Sequence, residues 1–117
     1  MRETYVSPRQ FIINKVNGKT PFTYWTNDNN AGRYVVGVQS IVTLPKNHAY
    51  PSLHEIVESV LTEKVSLQGV GGWLDENGTY FLDCIVGEND LSTAIEIGKN
   101  NLQLCIWDTK LDGEIWI

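Results

Sequence analysis

The sequence lacks the long apolar segments and clustered basic residues that mark membrane and nucleic-acid proteins. No stretch approaches the roughly 18 consecutive apolar residues of a bilayer-spanning helix. Residues 1–10 (MRETYVSPRQ) contain no apolar segment of the kind that secretory signals carry. The 9 lysines and arginines are never adjacent and are outnumbered by 14 acidic residues, which gives a formal net charge of −5. We therefore expect a cytoplasmic protein that binds neither membranes nor duplex nucleic acid.

The chain is also poor in cysteine and histidine. Cys84 and Cys105 each lie inside an apolar run, where a reduced thiol behaves as a small buried hydrophobe, and His48 and His54 are distant in sequence. No C-x-x-C pair and no Cys/His cluster with metal-ligand spacing is present. We expect no structural metal and no cofactor, and a catalytic Cys/His pair is only a minor alternative.

The composition is that of one globular domain over residues 1–117, with 42% hydrophobic and 20% charged residues. Residues 11–16 (FIINKV) are typical of a strand, and Asn17-Gly18 is a dipeptide favoured in tight hairpin turns. Residues 20–26 (TPFTYWT) would form the returning strand. These patterns predict an N-terminal β-hairpin.

A long strand and a helix are predicted next, after a polar loop. Residues 33–44 (RYVVGVQSIVTL) are rich in β-branched residues, and Gly37 marks the expected position of a bulge. Ser52 and Glu55 form a capping box, and apolar residues recur after it at helical spacing. The sequence therefore predicts a central strand followed by an amphipathic helix.

The last third of the chain predicts a hairpin, a second helix and closing strands. Asn77-Gly78 indicates the hairpin turn, and the strand after it alternates between a core face and a face whose polar exception is Asp83. Asn89 or Asp90 would cap the helix, and Asn100-Asn101 would end it. The whole order predicts an α+β fold: an antiparallel sheet in split βαβ, ferredoxin-like order, with two helices on one face and the N-terminal β-hairpin added.

Polar residues in this last third are candidates for a small-ligand pocket. In a sheet of this order Asp83 and Asp108 would approach one another near the N-terminus of the second helix, whose free N–H groups suit an anion. Asn89, Asn101 and Gln103 would add donors and acceptors, and Phe81 or Trp73 would offer a surface for stacking a base. The structural alternative is that these residues are caps, ion-pair partners and core.

Signatures of catalysis are missing. The run Gly69-Val70-Gly71-Gly72 lacks the GxxxxGK[ST] spacing of a phosphate loop, and no Ser-His-Asp pattern is visible. A hydrolase built on paired carboxylates is the third-ranked alternative. We expect a protein that is not an enzyme and has no catalytic residues.

The block from Val70 to Asp108 (VGGWLDENGTYFLDCIV…NDLSTAIEIGKNNLQLCIWD) resembles small proteins encoded by phages and prophages, which share a GGW-D-x-x-G-x-Y-x-x-D hairpin and a closing N-x-Q-x-x-I-x-D strand. The matching positions are Gly71, Gly72, Trp73, Asp75, Gly78, Tyr80, Asp83, Ala94, Asn101, Gln103, Ile106 and Asp108. One group with a similar size and α/β layout is the phage anti-Thoeris sponge, which sequesters a cyclic ADP-ribose-type immune signal without cleaving it.

This resemblance implies a homo-oligomer in the cytoplasm of a bacterial host cell, with ligand pockets between subunits. It implies an aromatic residue stacked on adenine and polar side chains that hold ribose and phosphate. The ligand-binding residues expected on this basis are Phe81, Asp83, Asn89, Asn101 and Asp108. The block contains no arginine, so Arg33, Lys99, Lys110 or an arginine from another subunit would have to hold a phosphate. The alternative function is a protein–protein inhibitor or accessory factor that acts on a host partner through an acidic, aromatic surface.

Overall fold

The computed structural model describes residues 8–46 and 68–117. Two helices, one 3₁₀ turn and six strands follow one another in this part of the chain. They are α1 (Pro8–Asn17), β1 (Phe22–Trp25), the 3₁₀ turn (Asp28–Asn30), β2 (Tyr34–Leu44), β3 (Gly69–Leu74), β4 (Tyr80–Glu88), α2 (Leu91–Asn100), β5 (Cys105–Asp108) and β6 (Gly113–Trp116).

The strands form one sheet in the order β1-β3-β4-β2-β5-β6, and every neighbouring pair is antiparallel. The predicted α+β class is therefore confirmed, with more of the described residues in strands than in helices. The ferredoxin-like order is not confirmed, because its first crossover would fall in residues 47–67. The helix predicted from Ser52 also lies outside the described residues.

The predicted N-terminal β-hairpin is wrong, because residues 8–17 form α1. Ile12 and Val16 are spaced by one helical turn, and both are fully buried against the sheet. Asn17-Gly18 ends the helix and does not turn a hairpin. The N–H of Lys19 donates to the Val16 carbonyl and that of Thr20 to the Lys15 carbonyl, the Schellman pattern, with Lys19 in the left-handed region at φ 50°.

The central strand and the hairpin after it are confirmed. In β2 the pairing with β4 shifts register between Gly37 and Gln39, so the bulge lies where the glycine predicts it. The turn between β3 and β4 is held by Asp75, whose Oδ1 accepts from the N–H groups of Asn77 and Thr79 at 2.8 Å each. Gly78 supplies the positive φ of 85° that this turn needs.

Helix α2 begins and ends where predicted, although no asparagine adopts the left-handed conformation at its end. Asp90 is the N-cap, and its carboxylate accepts from the N–H of Thr93 at 2.9 Å. At the other end the left-handed residue is Leu102, with φ 58°, and not an asparagine. The N–H of Gln103 donates to the Gly98 carbonyl at 2.8 Å, which closes a second Schellman pattern.

Both helices cover the same face of the sheet. On β4, Tyr80 and Leu82 pack beneath α1 while Val86 packs beneath α2, and residues two or six positions apart in a strand share a face. The Tyr80 hydroxyl donates to the Thr20 carbonyl at 2.8 Å, which ties the end of α1 to the sheet. Gly72 makes this possible, since a Cβ there would lie 2.2 Å from that hydroxyl.

Candidate ligand-binding cleft

All four tryptophans of the chain lie on the sheet face opposite the helices. Because Tyr80 and Leu82 face the helices, Phe81, Asp83 and Ile85 face the other way. Directly paired residues share a face, so Trp73 joins Phe81. The same rule places the other three tryptophans on this face. Trp25 pairs with Gly69, which pairs with Ile85, and Trp107 pairs with Val35, which pairs with Gly87. Trp116 pairs with Cys105, which lies on the same face of β5 as Trp107.

A cavity of about 490 Å³ opens on this face, and we call it the tryptophan cleft. Residues from all six strands line it, including Thr23 on β1 and Glu114 on β6. These are the two edge strands of the described sheet, which a flat sheet would hold roughly 24 Å apart. The sheet therefore curls, and its two edges approach one cavity.

Asp83 is the polar group at the centre of this face. It is half-buried, and it is paired in register with Gly71 on β3 and Ser40 on β2. Its Oδ2 accepts from the indole N–H of Trp73 at 3.2 Å. Burial raises the pKa of Asp83, and the hydrogen bond from Trp73 partly offsets this.

Trp73 and Phe81 form one aromatic unit beside Asp83. Their rings stack with centroids 4.5 Å apart and planes 17° from parallel. Trp73 lines the cleft and is 45% exposed, whereas Phe81 lies behind it and is outside the described lining. The indole is therefore the surface available for stacking, and Phe81 supports it.

Gln103 brings an amide into the cleft from the segment after α2. Its Nε2 donates to the Asn101 carbonyl at 3.3 Å, and its Oε1 lies over Gly37. A Cβ at position 37 would lie 2.9 Å from that oxygen, so glycine is what leaves room for the amide. This gives the bulge residue of β2 a second reason to be glycine.

The cleft is electrostatically negative. Its described lining contains the carboxyl groups of Asp83, Asp112 and Glu114, and no lysine, arginine or histidine. Cys105 also lines it, and burial together with the charge of Glu114 raises the pKa of this thiol. Such a lining favours ligands that donate hydrogen bonds and disfavours anions.

Asp108 and Asn89 belong to a different place. Asp108 is 1% exposed and forms a two-pronged ion pair with Arg33, with Nε–Oδ1 at 3.0 Å and Nη2–Oδ2 at 2.9 Å. Its Oδ1 also accepts from the N–H groups of Lys110 and Leu111. These contacts lower the pKa of Asp108 to about 2, with the Arg33 hydrogen bond as the largest cause. Asn89 accepts from the Arg33 backbone N–H at 2.9 Å.

The predicted meeting of Asp83 and Asp108 therefore does not occur. Against β2, Asp83 pairs with Ser40 while Asp108 pairs with Tyr34, a residue of the helix-covered core. The two carboxyl groups point to opposite faces of the sheet. Asn101 lies apart from both, since its side chain donates to the Ile97 carbonyl at 2.8 Å and caps α2.

Of the five residues expected to bind ligand, Asp83 alone is in the described lining of the tryptophan cleft. Sequence reasoning missed Trp107 and Glu114, which enter the cleft from β5 and β6. The alternation of LCIWD places Trp107 with Cys105 on one face, but only the strand order shows that this is the face of Asp83.

Comparisons with models of protein families, with curated proteins and with solved structures give no match. Within residues 8–46 and 68–117, no helix combines the length and the apolar character needed to cross a bilayer. In the same ranges, no three His, Cys, Asp or Glu side chains are grouped as they would be around a metal ion.

Proposed function

We propose that this chain is a non-enzymatic binding protein that sequesters a small nucleotide-derived ligand in the tryptophan cleft. The phage resemblance of residues 70–108 gives the biological form of the proposal: a phage-type anti-defence protein that acts in the bacterial cytoplasm and holds a cyclic ADP-ribose-type signal without cleaving it. The observation that carries the proposal is a cleft lined by Trp73 and Trp107 beside one half-buried aspartate, Asp83.

The cleft offers the contacts that a nucleoside needs. Trp73 presents a partly exposed ring for stacking, and such stacking contributes roughly 1–3 kcal/mol per base in proteins that bind single strands. Asp83 and Gln103 supply acceptors beside it. A volume of about 490 Å³ also falls within the range usual for small-molecule sites.

The acidic lining determines which part of such a ligand enters. Arg33, which the sequence offers as a phosphate ligand, is already paired with Asp108. No other cation lies in the described lining. We therefore propose that the base and the ribose occupy the cleft while phosphate groups remain toward solvent.

The test is thermal unfolding, followed by circular dichroism, in the presence of cyclic ADP-ribose isomers. A ligand at 100 times its Kd adds about 2.7 kcal/mol of stability, so binding appears as a raised melting temperature. Trp73→Ala should abolish this shift, and Trp25→Ala, on the same face but outside the described lining, should retain it. Mass spectrometry of the ligand released by heating should find it intact.

Two outcomes would count against sequestration. Recovery of a cleaved product would favour a hydrolase. No shift with any cyclic nucleotide would favour the second candidate, an inhibitor or accessory factor that binds a host protein. The specific support for that candidate is the exposure of large hydrophobic side chains at the β5–β6 end, namely Leu104 at 73%, Leu111 at 70% and Trp116 at 69%.

We also propose that the chain forms a homo-oligomer. Strand β6 is an edge of the described sheet, and an edge strand beside exposed hydrophobic residues is suited to pairing with a second copy. Light scattering coupled to size-exclusion chromatography measures the mass directly, and a monomer at micromolar concentration would contradict this proposal.

For the fold, we propose the split βαβ, ferredoxin-like order of the sheet. Strands β2 and β3 are both antiparallel to β4 and lie on either side of it, so they are parallel to each other. Parallel strands need a long crossover, usually a helix, and the capping box at Ser52 predicts one.

A further inference from the structure

Asp83 accepts fewer hydrogen bonds than the three aspartates that hold a turn, a helix cap and the Arg33 ion pair. Asp75 and Asp90 each accept two hydrogen bonds, and Asp108 accepts four. Within the described residues Asp83 accepts one, at 3.2 Å from Trp73, and its Oδ1 accepts none. A half-buried carboxylate with free acceptor positions is costly unless a partner supplies donors.

The residues paired with Asp83 in the sheet donate no side-chain hydrogen bond to its carboxylate. Gly71, its partner on β3, has no side chain, and Ser40 on β2 is exposed and makes no described hydrogen bond to it. The carboxylate therefore faces the tryptophan cleft with its acceptor positions open. A ligand that fits must bring two hydrogen-bond donors to one carboxylate.

The other residues that line the cleft indicate the shape and charge of the rest of the ligand. Trp73, supported by Phe81, and Trp107 present flat apolar surfaces, which suit the face of a ring. The additional carboxyl groups of Asp112 and Glu114 disfavour a negatively charged group. The Oε1 of Gln103 adds a neutral acceptor, which takes a hydroxyl donor without adding negative charge to the cleft.

We propose that the tryptophan cleft recognises an uncharged ring bearing two adjacent hydroxyl groups, which both donate to Asp83, and that phosphate contributes nothing to binding. This inference rests on the proposed function, because the ribose of a nucleoside is the form of that chemistry it predicts. A free sugar offers the same pair of hydroxyls without the base. The two sources are separable by experiment.

Isothermal titration calorimetry with adenosine, 2′-deoxyadenosine, adenosine 5′-monophosphate and methyl ribofuranoside tests this on the full chain. 2′-Deoxyadenosine lacks one of the two hydroxyl groups and so loses one hydrogen bond to a charged group. Its Kd should therefore be about tenfold or more higher than that of adenosine. The monophosphate should bind no tighter than adenosine. Asp83→Asn should weaken the binding of adenosine by a similar factor. The control is Glu96→Gln, which removes the same charge at an exposed position of α2 and should leave the binding of adenosine unchanged.

We expect the Asp83→Asn variant to fold. Burial raises the pKa of Asp83, and an acid whose pKa is higher in the folded state makes that state less stable as pH rises. The variant should therefore keep or gain thermal stability at neutral pH. A lower melting temperature would show that Asp83 is structural and would overturn the inference.

The remaining outcomes separate this inference from the proposed function. Equal binding of adenosine and 2′-deoxyadenosine, tighter binding of the monophosphate, or displacement of adenosine by a simple amine would overturn the diol inference and leave nucleotide binding standing. Binding of methyl ribofuranoside as tight as that of adenosine would support the diol and contradict a nucleotide ligand. If none of the four compounds binds while a cyclic ADP-ribose isomer raises the melting temperature, the diol inference falls and the proposed function stands.

Discussion

The two aspartates expected to share a pocket differ in every contact. Asp108 is saturated with donors and fully buried beside Arg33, and its pKa is lowered. Asp83 has one donor and a raised pKa. A carboxylate whose oxygens all accept hydrogen bonds within the protein stabilises the fold. A half-buried carboxylate with few such bonds lowers the free energy of unfolding. The first is structural, and the second is the better site candidate.

Replacing Asp108 by Asn should destabilise the protein at neutral pH and change its acid response. The folded pKa of about 2 lies below the ordinary 3.8, so the ion pair's contribution is complete above 3.8 and is lost as pH falls toward 2. Urea unfolding at successive pH values should show the wild type losing stability in this window and the variant losing less. Glu96→Gln, on exposed α2, serves as the control and should follow the wild type. Equal stability of Asp108→Asn and wild type at neutral pH would contradict this account.

At the scale of elements, both helices end on a residue other than glycine in the left-handed region. Lys19 follows α1 and Leu102 follows α2. The hairpin predicted at Asn17-Gly18 fails for this reason: the same dipeptide that turns a hairpin also ends a helix, and six residues are too few to separate a period of 2 from one of 3.6. The turn at Asp75–Gly78 was predictable because the strand after it, β4, alternates over a run of 9 residues.

Leu102→Gly should stabilise the protein by about 1 kcal/mol. The Leu102 side chain is 88% exposed, so little packing is lost, and glycine adopts a φ of 58° without the steric cost of a Cβ. The shift is measured by urea denaturation. Leu104→Gly, also exposed but without a positive φ, should stabilise nothing. A loss of stability in Leu102→Gly would mean that this leucine is covered by a contact in solution.

Parts of the site could not be predicted from sequence. Arg33 and Asp108 are 75 residues apart, and neither pattern hints at the other. Asp83 was identifiable as the polar exception on an alternating strand, Trp73 as an aromatic residue of the predicted hairpin, and Gln103 as an amide near the end of the second helix. Trp107 joins them only through the order of strands in the sheet, which depends on long-range pairing and leaves no local trace.

The whole molecule has one face built for stability and one built from aromatic residues and glycines. The helix-covered face contains Ile12, Val16 and Tyr80, each fully buried. The opposite face contains the four tryptophans and Asp83. Substitutions should therefore divide by face: those beneath the helices cost stability, and those in the cleft cost binding.

Ile12→Ala tests this division and the helical assignment of residues 8–17 together. Removing a fully buried isoleucine typically costs about 2–5 kcal/mol. Ile13→Ala, at a half-buried position one residue away, should cost clearly less. Chemical denaturation gives both values. Equal costs at the two positions would contradict the packing of α1 on the sheet.

Because of where the tryptophans lie, the tryptophan fluorescence of this protein reports on one face of the sheet. Every indole of the chain lies on the cleft face, and the helix-covered core contains none. The emission of tryptophan, excited selectively over tyrosine, therefore reports on the surroundings of that face alone. Occupancy of the cleft would alter emission without any unfolding, and loosening of the helices would leave it nearly unchanged until the sheet itself opens.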